Sequence, residues 1–387
     1  MKYIRILVTY LIRGILRLYC LIPIKNNRLV FNSMAWKQYS CNPRYITEYL
    51  LSNYPGKFEV IWCFNEPEKF LDIVDREVKV CKSRTIESFY YHMTAKIIIC
   101  NQTIGAEIPR RKGQYRINTW HGGGGGYKII DYSETSKFRA RLEAKEVDLY
   151  CASSETSLRN TVRVAFQHKG EVFKGTPRND MLVNGNRTDI KENIFQYLKI
   201  HASDRVVLYA PTYREGNNSR DFDKDRYEYG LDYARLKKCM ENRFGGNWIV
   251  AVRFHPRVRN YRLPNEYGIV DATNYPDMQE LMASVDAMVT DYSSSIWDFS
   301  FTRKPMFLFC TDLQEYIDKR GFNKPIQEWG VSIATSNEEL ENNILDFDFD
   351  EFEVSMDNQH QINGSFEDGT ATKRICDYID KMCFLGE

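Results

Sequence analysis

The 387 residues exceed what one ordinary α/β domain needs and are enough for two packed cores. Apolar residues make up 43% of the chain and charged residues 27%, which excludes a disordered chain. With 53 basic and 52 acidic residues the net charge is +1, so no overall field favours nucleic acid as a partner, and any anion site has to be local.

The chain opens with Lys2, Arg5, Arg13, Arg17, Lys25 and Arg28 and no Asp or Glu among them. The uncharged stretches Ile6–Ile12 and Leu18–Ile24 are far shorter than the ~20 apolar residues of a spanning helix. Advancing 100° per residue, Lys2, Arg5, Arg13 and Arg17 fall within about a third of the helix circumference and leave Ile4, Leu7, Leu11, Ile15 and Tyr19 on the remainder. The pattern predicts a basic amphipathic helix over residues 1–25 that lies on an anionic membrane surface. A secretory signal is disfavoured, because Arg13 and Arg17 interrupt the apolar region and no small-residue cleavage site follows.

Short β-branched or aromatic runs then alternate with helical patterns, which predicts parallel sheets with crossover helices. The predicted strands of a first half are Arg28–Phe31, Glu59–Cys63, Val78–Cys81, Lys96–Cys100, Arg116–Trp120 and Asp148–Cys151. One intervening helix starts at Asn42-Pro43, read as a capping residue followed by the proline that suits a first turn. A second series follows: Val206–Ala210, Trp248–Phe254, Gly268–Val270, Ala287–Thr290 and Pro305–Cys310. The fold class is α/β, with two Rossmann-like, doubly wound domains over 26–186 and 187–369, joined where Asn184-Gly185-Asn186 interrupts the periodicity. Asp346–Glu353 reads as a solvated connection, and a last helix occupies 370–387. The ten cysteines form no C-x-x-C pair and mostly sit in apolar runs, as small core residues do in a reducing cytoplasm.

The strongest local signal follows the fifth predicted strand: Trp120-His121, then glycine at 122–126, then Tyr127-Lys128. Consecutive glycines cost backbone entropy and belong where the chain approaches something closely or changes shape. A neutral imidazole at that strand end can take the proton from an attacking hydroxyl, and the amides of Gly122, Gly123 and Gly124 can face an anion. The spacing is neither a P-loop nor a clean dinucleotide fingerprint. Four further polar clusters follow strand ends: Gly175–Asp180, Ala210–Arg214, Arg253–Pro256 and Thr290–Ser295. Ligands of open α/β sheets bind at the carboxyl ends of strands, so these clusters are expected to converge on one crevice between the halves. Ser293 and Ser294 would offer hydroxyls and free N–H groups to an anion, Arg214 and Arg253 charge-assisted bonds, and His255 a further donor to a leaving phosphate oxygen. Such a clamp stabilises charge that a metal supplies in other enzymes, and no D-x-D pair stands beside it, so no metal or cofactor is expected.

These residues resemble the CDP-glycerol glycerophosphotransferase family of teichoic-acid primases and polymerases, itself similar to glycosyltransferases of the two-Rossmann GT-B architecture. The resemblance runs through Val30-Phe31-Asn32-Ser33, Asn42-Pro43, Trp120-His121-Gly122, Gly175–Asp180, Pro211–Arg214, Arg253–Pro256, Asp291–Ser294 with Asp298, and Phe366-Glu367-Asp368-Gly369. It implies two domains facing across a cleft, with His121 as the base on an acceptor hydroxyl. Around a CDP-polyol it implies Arg178, Pro211, Thr212, Arg253, Phe254, His255, Ser293, Ser294 and Asp298, to which the clusters add Trp120, Gly122, Gly123, Gly124, Asp180 and Arg214. The common Thr-Pro-Leu-Lys after Trp-His-Gly is replaced here by Gly123–Lys128, which leaves the polyol and the acceptor open. The implied donor is CDP-glycerol or CDP-ribitol, and the implied acceptor a lipid-linked glycan or a teichoic-acid or capsule-type polymer at the cytoplasmic face of the membrane. A single-step transferase or primase fits the length slightly better than a long polymerase. Two alternatives stand beside this reading: a GT-B glycosyltransferase using a nucleotide sugar, and a non-catalytic membrane-surface binding protein.

Overall fold

A computed structural model describes residues 2–123, 134–185, 188–212, 230–255, 258, 261–266 and 268–384. It divides into two compact units, the first comprising Met1–Gly123, Ile129–Asp180 and Ser365–Glu387, the second Met181–Gly364. The first unit is built on a seven-stranded sheet of β1 (Lys25–Asn32), β2 (Glu59–Phe64), β3 (Lys79–Lys82), β4 (Ala95–Cys100), β5 (Tyr115–Asn118), β6 (Leu149–Ala152) and β7 (Glu171–Lys174), in the order β3-β2-β1-β4-β5-β6-β7. The second carries β8 (Arg205–Ala210), β9 (Trp248–Val252), β10 (Ile269–Asp271), β11 (Ala287–Thr290), β12 (Met306–Phe309) and β13 (Ile333–Ala334), in the order β10-β9-β8-β11-β12-β13. Every strand pair is parallel. Both units are therefore α/β and Rossmann-like, and each order reverses once, between β1 and β4 and between β8 and β11.

The sequence dictates these sheets because runs such as Ile97-Ile98-Ile99 are apolar on both faces, which only a sheet covered on both sides can bury. Leu29, Phe31, Ile97, Ile99 and Ile117 pack beneath the helix Cys41–Asn53 through Ile46 and Leu50. The opposite face, Val30, Ile61, Cys63, Ile98 and Cys100, packs on Met93, Ile104 and Ile108.

Four expectations are corrected. The short edge strands β7 and β13 have no apolar run to announce them; β7 is exposed or half-buried throughout. The acidic stretch Asp346–Glu353 leads into the helix Phe349–Asn363, capped by the Asp348 side chain on the Glu351 N–H, with Asp350 and Glu351 in its first turn. Acidic residues at a helix start stabilise it against the macrodipole, so the charge that suggested a loop belongs to a helix. The division falls at Asp180/Met181 rather than at 186/187, and the segment from Ser365, expected in part within the second domain, belongs to the first unit.

The fourth correction concerns the N-terminal helix, Lys2–Leu16. Arg13, expected with the other bases on the polar face of a membrane-surface helix, is buried: it donates to the carbonyls of Ala106 (2.8 Å) and Ile108 (3.5 Å) and forms an ion pair with Glu146. With Thr9 and Leu16, also buried, it docks the helix on the first unit. Ile4, Leu7, Val8, Leu11 and Ile15 then face outward on roughly a third of the circumference, each 45% to 70% exposed. Leu18 and Leu21 continue that apolar surface. Among the described residues no helix is long and apolar enough to cross a membrane.

Candidate active site

In the first unit the polar residues gather where the strand order reverses, the place where open parallel sheets bind ligands. After Asn32 the chain runs through Met34, Ala35 and Trp36 with φ of 46°, 54° and 66°. Three successive L-residues in the left-handed region cost about 1–2 kcal/mol each, so the turn persists only where its surroundings over-determine it. They do: Met34 N–H donates to Asn101 Oδ1 (2.8 Å), Asn65 N–H to the Trp36 carbonyl (2.8 Å), and Asn65 Nδ2 to the Ala35 carbonyl (3.2 Å). Asn101 Nδ2 also donates to Ser33 Oγ at 3.0 Å.

The residues after β5 are held to the same framework. The Thr119 N–H donates to the Cys100 carbonyl (2.8 Å) and the Trp120 N–H to Asn118 Oδ1 (3.0 Å), with Trp120 itself at φ 52°. His121 Nδ1 lies 2.7 Å from the Asn101 carbonyl oxygen. A carbonyl only accepts, so Nδ1 carries the proton and Nε2 is left with the lone pair. The Trp120 ring lies against the imidazole at 4.2 Å between centroids and rests edge-on against Phe166. Burial of the ring pushes the His121 pKa down to about 4, the Asn101 carbonyl opposing and the Arg178 charge adding to the fall. At neutral pH the group is a neutral imidazole of defined tautomer, the form a general base requires.

Arg178 and Asp180 turn out to serve this framework. Arg178 is 3% exposed, and its guanidinium donates to the backbone carbonyl of His121. Asp180, expected against substrate, spends both carboxylate oxygens on the N–H groups of Ala371 (3.0 Å) and Thr372 (2.7 Å), capping the helix Ala371–Phe384. Glu367 reaches the other way, accepting from Thr176 N–H (3.0 Å), Thr176 Oγ1 (2.5 Å) and Asn179 Nδ2 (3.1 Å). The turn carrying Arg178 is thus clamped from both sides by the returning C-terminal segment.

In the second unit the candidates lie at the carboxyl ends of β8, β9 and β11. Thr212 is fixed by Asp291, whose carboxylate accepts its N–H (2.9 and 3.0 Å) and its hydroxyl (2.5 Å). Thr290 Oγ1 donates to the Ala210 carbonyl (2.7 Å), so the loops after β8 and β11 are tied together, with buried Pro211 between them. Arg253 spends Nη1 on the carbonyls of Tyr275 (2.5 Å) and Ala272 (3.4 Å). Phe254 is buried against Tyr261, whereas His255 is exposed. Ser295 Oγ donates to Ser293 Oγ at 2.8 Å; Ser294 precedes the five-residue helix Ser295–Phe299 without capping it through its side chain. Asp298 is buried and accepts from Gln279 Nε2 at 3.3 Å. Gly124 and Arg214 lie outside the described residues.

Sequence reasoning gave no role to Asn101, which fixes the imidazole, or to Asp291, which fixes Thr212. For Asp291 the available signal was an aspartate just past a strand end, whose short side chain can reach the neighbouring loop, whereas Asn101 holds the imidazole through its backbone carbonyl, which no residue type announces.

Residues 15–381 match the family described as CDP-Glycerol:Poly(glycerophosphate) glycerophosphotransferase. The teichoic acid poly(glycerol phosphate) polymerase of Bacillus subtilis (strain 168) is 29% identical over 333 residues, covering 82% of this chain and 44% of the relative. The protein of that description from Bacillus spizizenii is 30% identical over 339 residues, covering 83% of each. The chain thus spans less than half of the first relative and most of the second. The solved wall teichoic acid polymerase TagF superposes with a TM-score of 0.80 at 24% identity, over 99% of this chain and 97% of that one, a likeness of fold. The chain belongs to the CDP-glycerol:poly(glycerophosphate) glycerophosphotransferase family.

Proposed function

We propose that this chain transfers a polyol phosphate, glycerol phosphate before ribitol phosphate, from a CDP-activated donor to a hydroxyl of a lipid-linked glycan or a teichoic-acid or capsule-type polymer. The acceptor O–H gives its proton to His121 Nε2, the oxygen bonds to the phosphorus bearing the polyol, and the bond from that phosphorus to the CMP oxygen breaks. The observation that carries the reading is the His121 imidazole, neutral and fixed by Asn101 with Nε2 as its basic nitrogen, in a chain of this family. Arg253 is the cation assigned to the departing phosphate and His255 a further donor to its oxygen, with Ser293 and Ser294 as hydroxyl donors to the diphosphate and Thr212, its own hydroxyl spent on Asp291, as a lining residue. No metal or cofactor is assigned a step. A donor panel tests the reading: CMP release from CDP-glycerol or CDP-ribitol is expected with a soluble acceptor analogue. Release of a nucleoside diphosphate from a nucleotide sugar instead would move the chain to the glycosyltransferases.

We further propose that the chain works as a peripheral protein on the cytoplasmic face of the membrane. The support is the outward stripe of Ile4, Leu7, Leu11 and Ile15, flanked by exposed Arg5 and Arg17. Apolar side chains entering the acyl boundary while cations meet anionic headgroups suit an interfacial helix. Leu7→Glu with Leu11→Glu should weaken cosedimentation with anionic vesicles at least about tenfold, since each leucine forfeits about 1.5–3 kcal/mol of burial. Both side chains point away from the fold, so the melting temperature should hold. Unaltered vesicle binding would remove this surface from the membrane.

A further inference from the structure

Asn42 reads from the sequence as a helix cap before Pro43. In the fold it is the second residue of the helix Cys41–Asn53, and Ser40 holds the capping position. Its side chain, wholly buried, points elsewhere. Nδ2 donates to the carbonyls of Thr119 (3.2 Å) and Trp120 (2.9 Å), and Oδ1 accepts the backbone N–H of Arg178 (2.9 Å). One carboxamide thereby joins the helix start, the turn that carries His121 and the turn that carries Arg178. Two of its bonds act on the peptides immediately preceding His121. The third fixes the backbone of the residue whose guanidinium holds the His121 carbonyl.

The places it joins are strained. Cys41 sits at φ 62° and Trp120 at φ 52°, conformations that L-residues hold only when neighbouring bonds impose them. Trp120 matters most, because its indole covers the imidazole and its backbone aims the next residue. Released from Asn42, the Trp120 peptide can relax toward an ordinary conformation, and the ring of His121 then turns and meets water.

We infer that Asn42 is a positioning residue for the transfer reaction, holding the Trp120-His121 turn so that Nε2 keeps a single direction toward the acceptor hydroxyl. The inference rests on the reading of His121 as the base. It assigns Asn42 no contact with either substrate.

The test compares wild type with Asn42→Ala and Asn42→Ser in steady-state kinetics from pH 4 to 8, with the imidazole nitrogens of His121 followed by NMR and assigned through His121→Gln. A misaimed base lowers kcat by about tenfold to a hundredfold while KM for the CDP donor stays within about threefold. Rehydration of the ring raises its titration midpoint from near 4 toward the ordinary histidine range, so the acidic limb of kcat/KM moves up in pH with it. Serine keeps one hydroxyl donor and should recover part of both effects. A folded variant whose limb and His121 resonances titrate as in wild type would overturn the inference, and so would kcat and KM moving in proportion. Failure of both variants to fold would place Asn42 in the fold and not in the site. The base reading has its own readout, since turnover surviving His121→Ala would sink that reading whatever the Asn42 variants do.

Discussion

Replacing His121 by alanine should lower kcat by about 10² to 10⁴-fold, the usual contribution of a positioned general base, and leave CDP binding and melting temperature near wild type. The fold should survive because the interactions around this residue are largely made by its backbone. Its carbonyl accepts from Arg178, and the turn before it is held through the Thr119 and Trp120 carbonyls, all of which an alanine retains. What alanine removes is the ring, its bond to Asn101 and its Nε2 lone pair. The wild-type pH profile carries the same assignment. A base must be unprotonated, and burial has pushed this one down to about 4, so kcat/KM should show no His121-dependent fall between pH 7 and about pH 5 and should drop as pH approaches 4. Turnover within a few fold of wild type in the alanine variant would end the base assignment. An acidic limb near the ordinary histidine value would mean that the ring titrates in a wetter place than burial under Trp120 implies.

Much of the framework was legible in the sequence because it is written in local pattern. The Ile97-Ile98-Ile99 run and its counterparts announce buried parallel strands, and a histidine between a strand end and a glycine run announces a site. The remainder is written in long-range pairs that no local pattern contains. Asn42 finds its partners 77, 78 and 136 residues away. Nothing beside it says that its amide is spent on the histidine turn rather than on a helix cap. Arg13 fell on the polar side of a helical wheel, yet its counter-charge Glu146 is 133 residues on, and pairing with it turns that side inward. The same rotation presents the apolar stripe to solvent, so amphipathicity was visible while its orientation was not. The motif assigned Arg178 and Asp180 to the substrate, but whether a buried polar group faces a ligand or the backbone depends on which donors and acceptors surround it.

Substituting Ile375 and Ile379 together by alanine should unfold the first unit at 37 °C and leave the second folded. Both side chains are wholly buried under the sheet, in the core that contains Leu29, Phe31, Ile97 and Ile99. Large-to-small changes at such positions cost about 2–5 kcal/mol each, against the roughly 5–15 kcal/mol that holds a domain together. The returning helix is also bound by polar links that loosen with it: Asp180 at its first turn, Tyr54 to Asp377 (2.6 Å), and Tyr115 to Tyr378 (2.6 Å). Hydrogen exchange resolves the outcome, with amides of β1 to β7 losing protection while those of β8 to β13 keep theirs. Loss spread evenly over both sheets would show that the units unfold together, and full protection of β1 to β7 would show that the helix adds little. The link to chemistry is direct, because the segment that supplies this helix also supplies Glu367, whose carboxylate fixes Thr176 and Asn179 on either side of Arg178. A chain with a loosened C-terminal helix should therefore lose turnover before it loses the donor, since the residues assigned to the CDP diphosphate stand in the second unit and the base in the first.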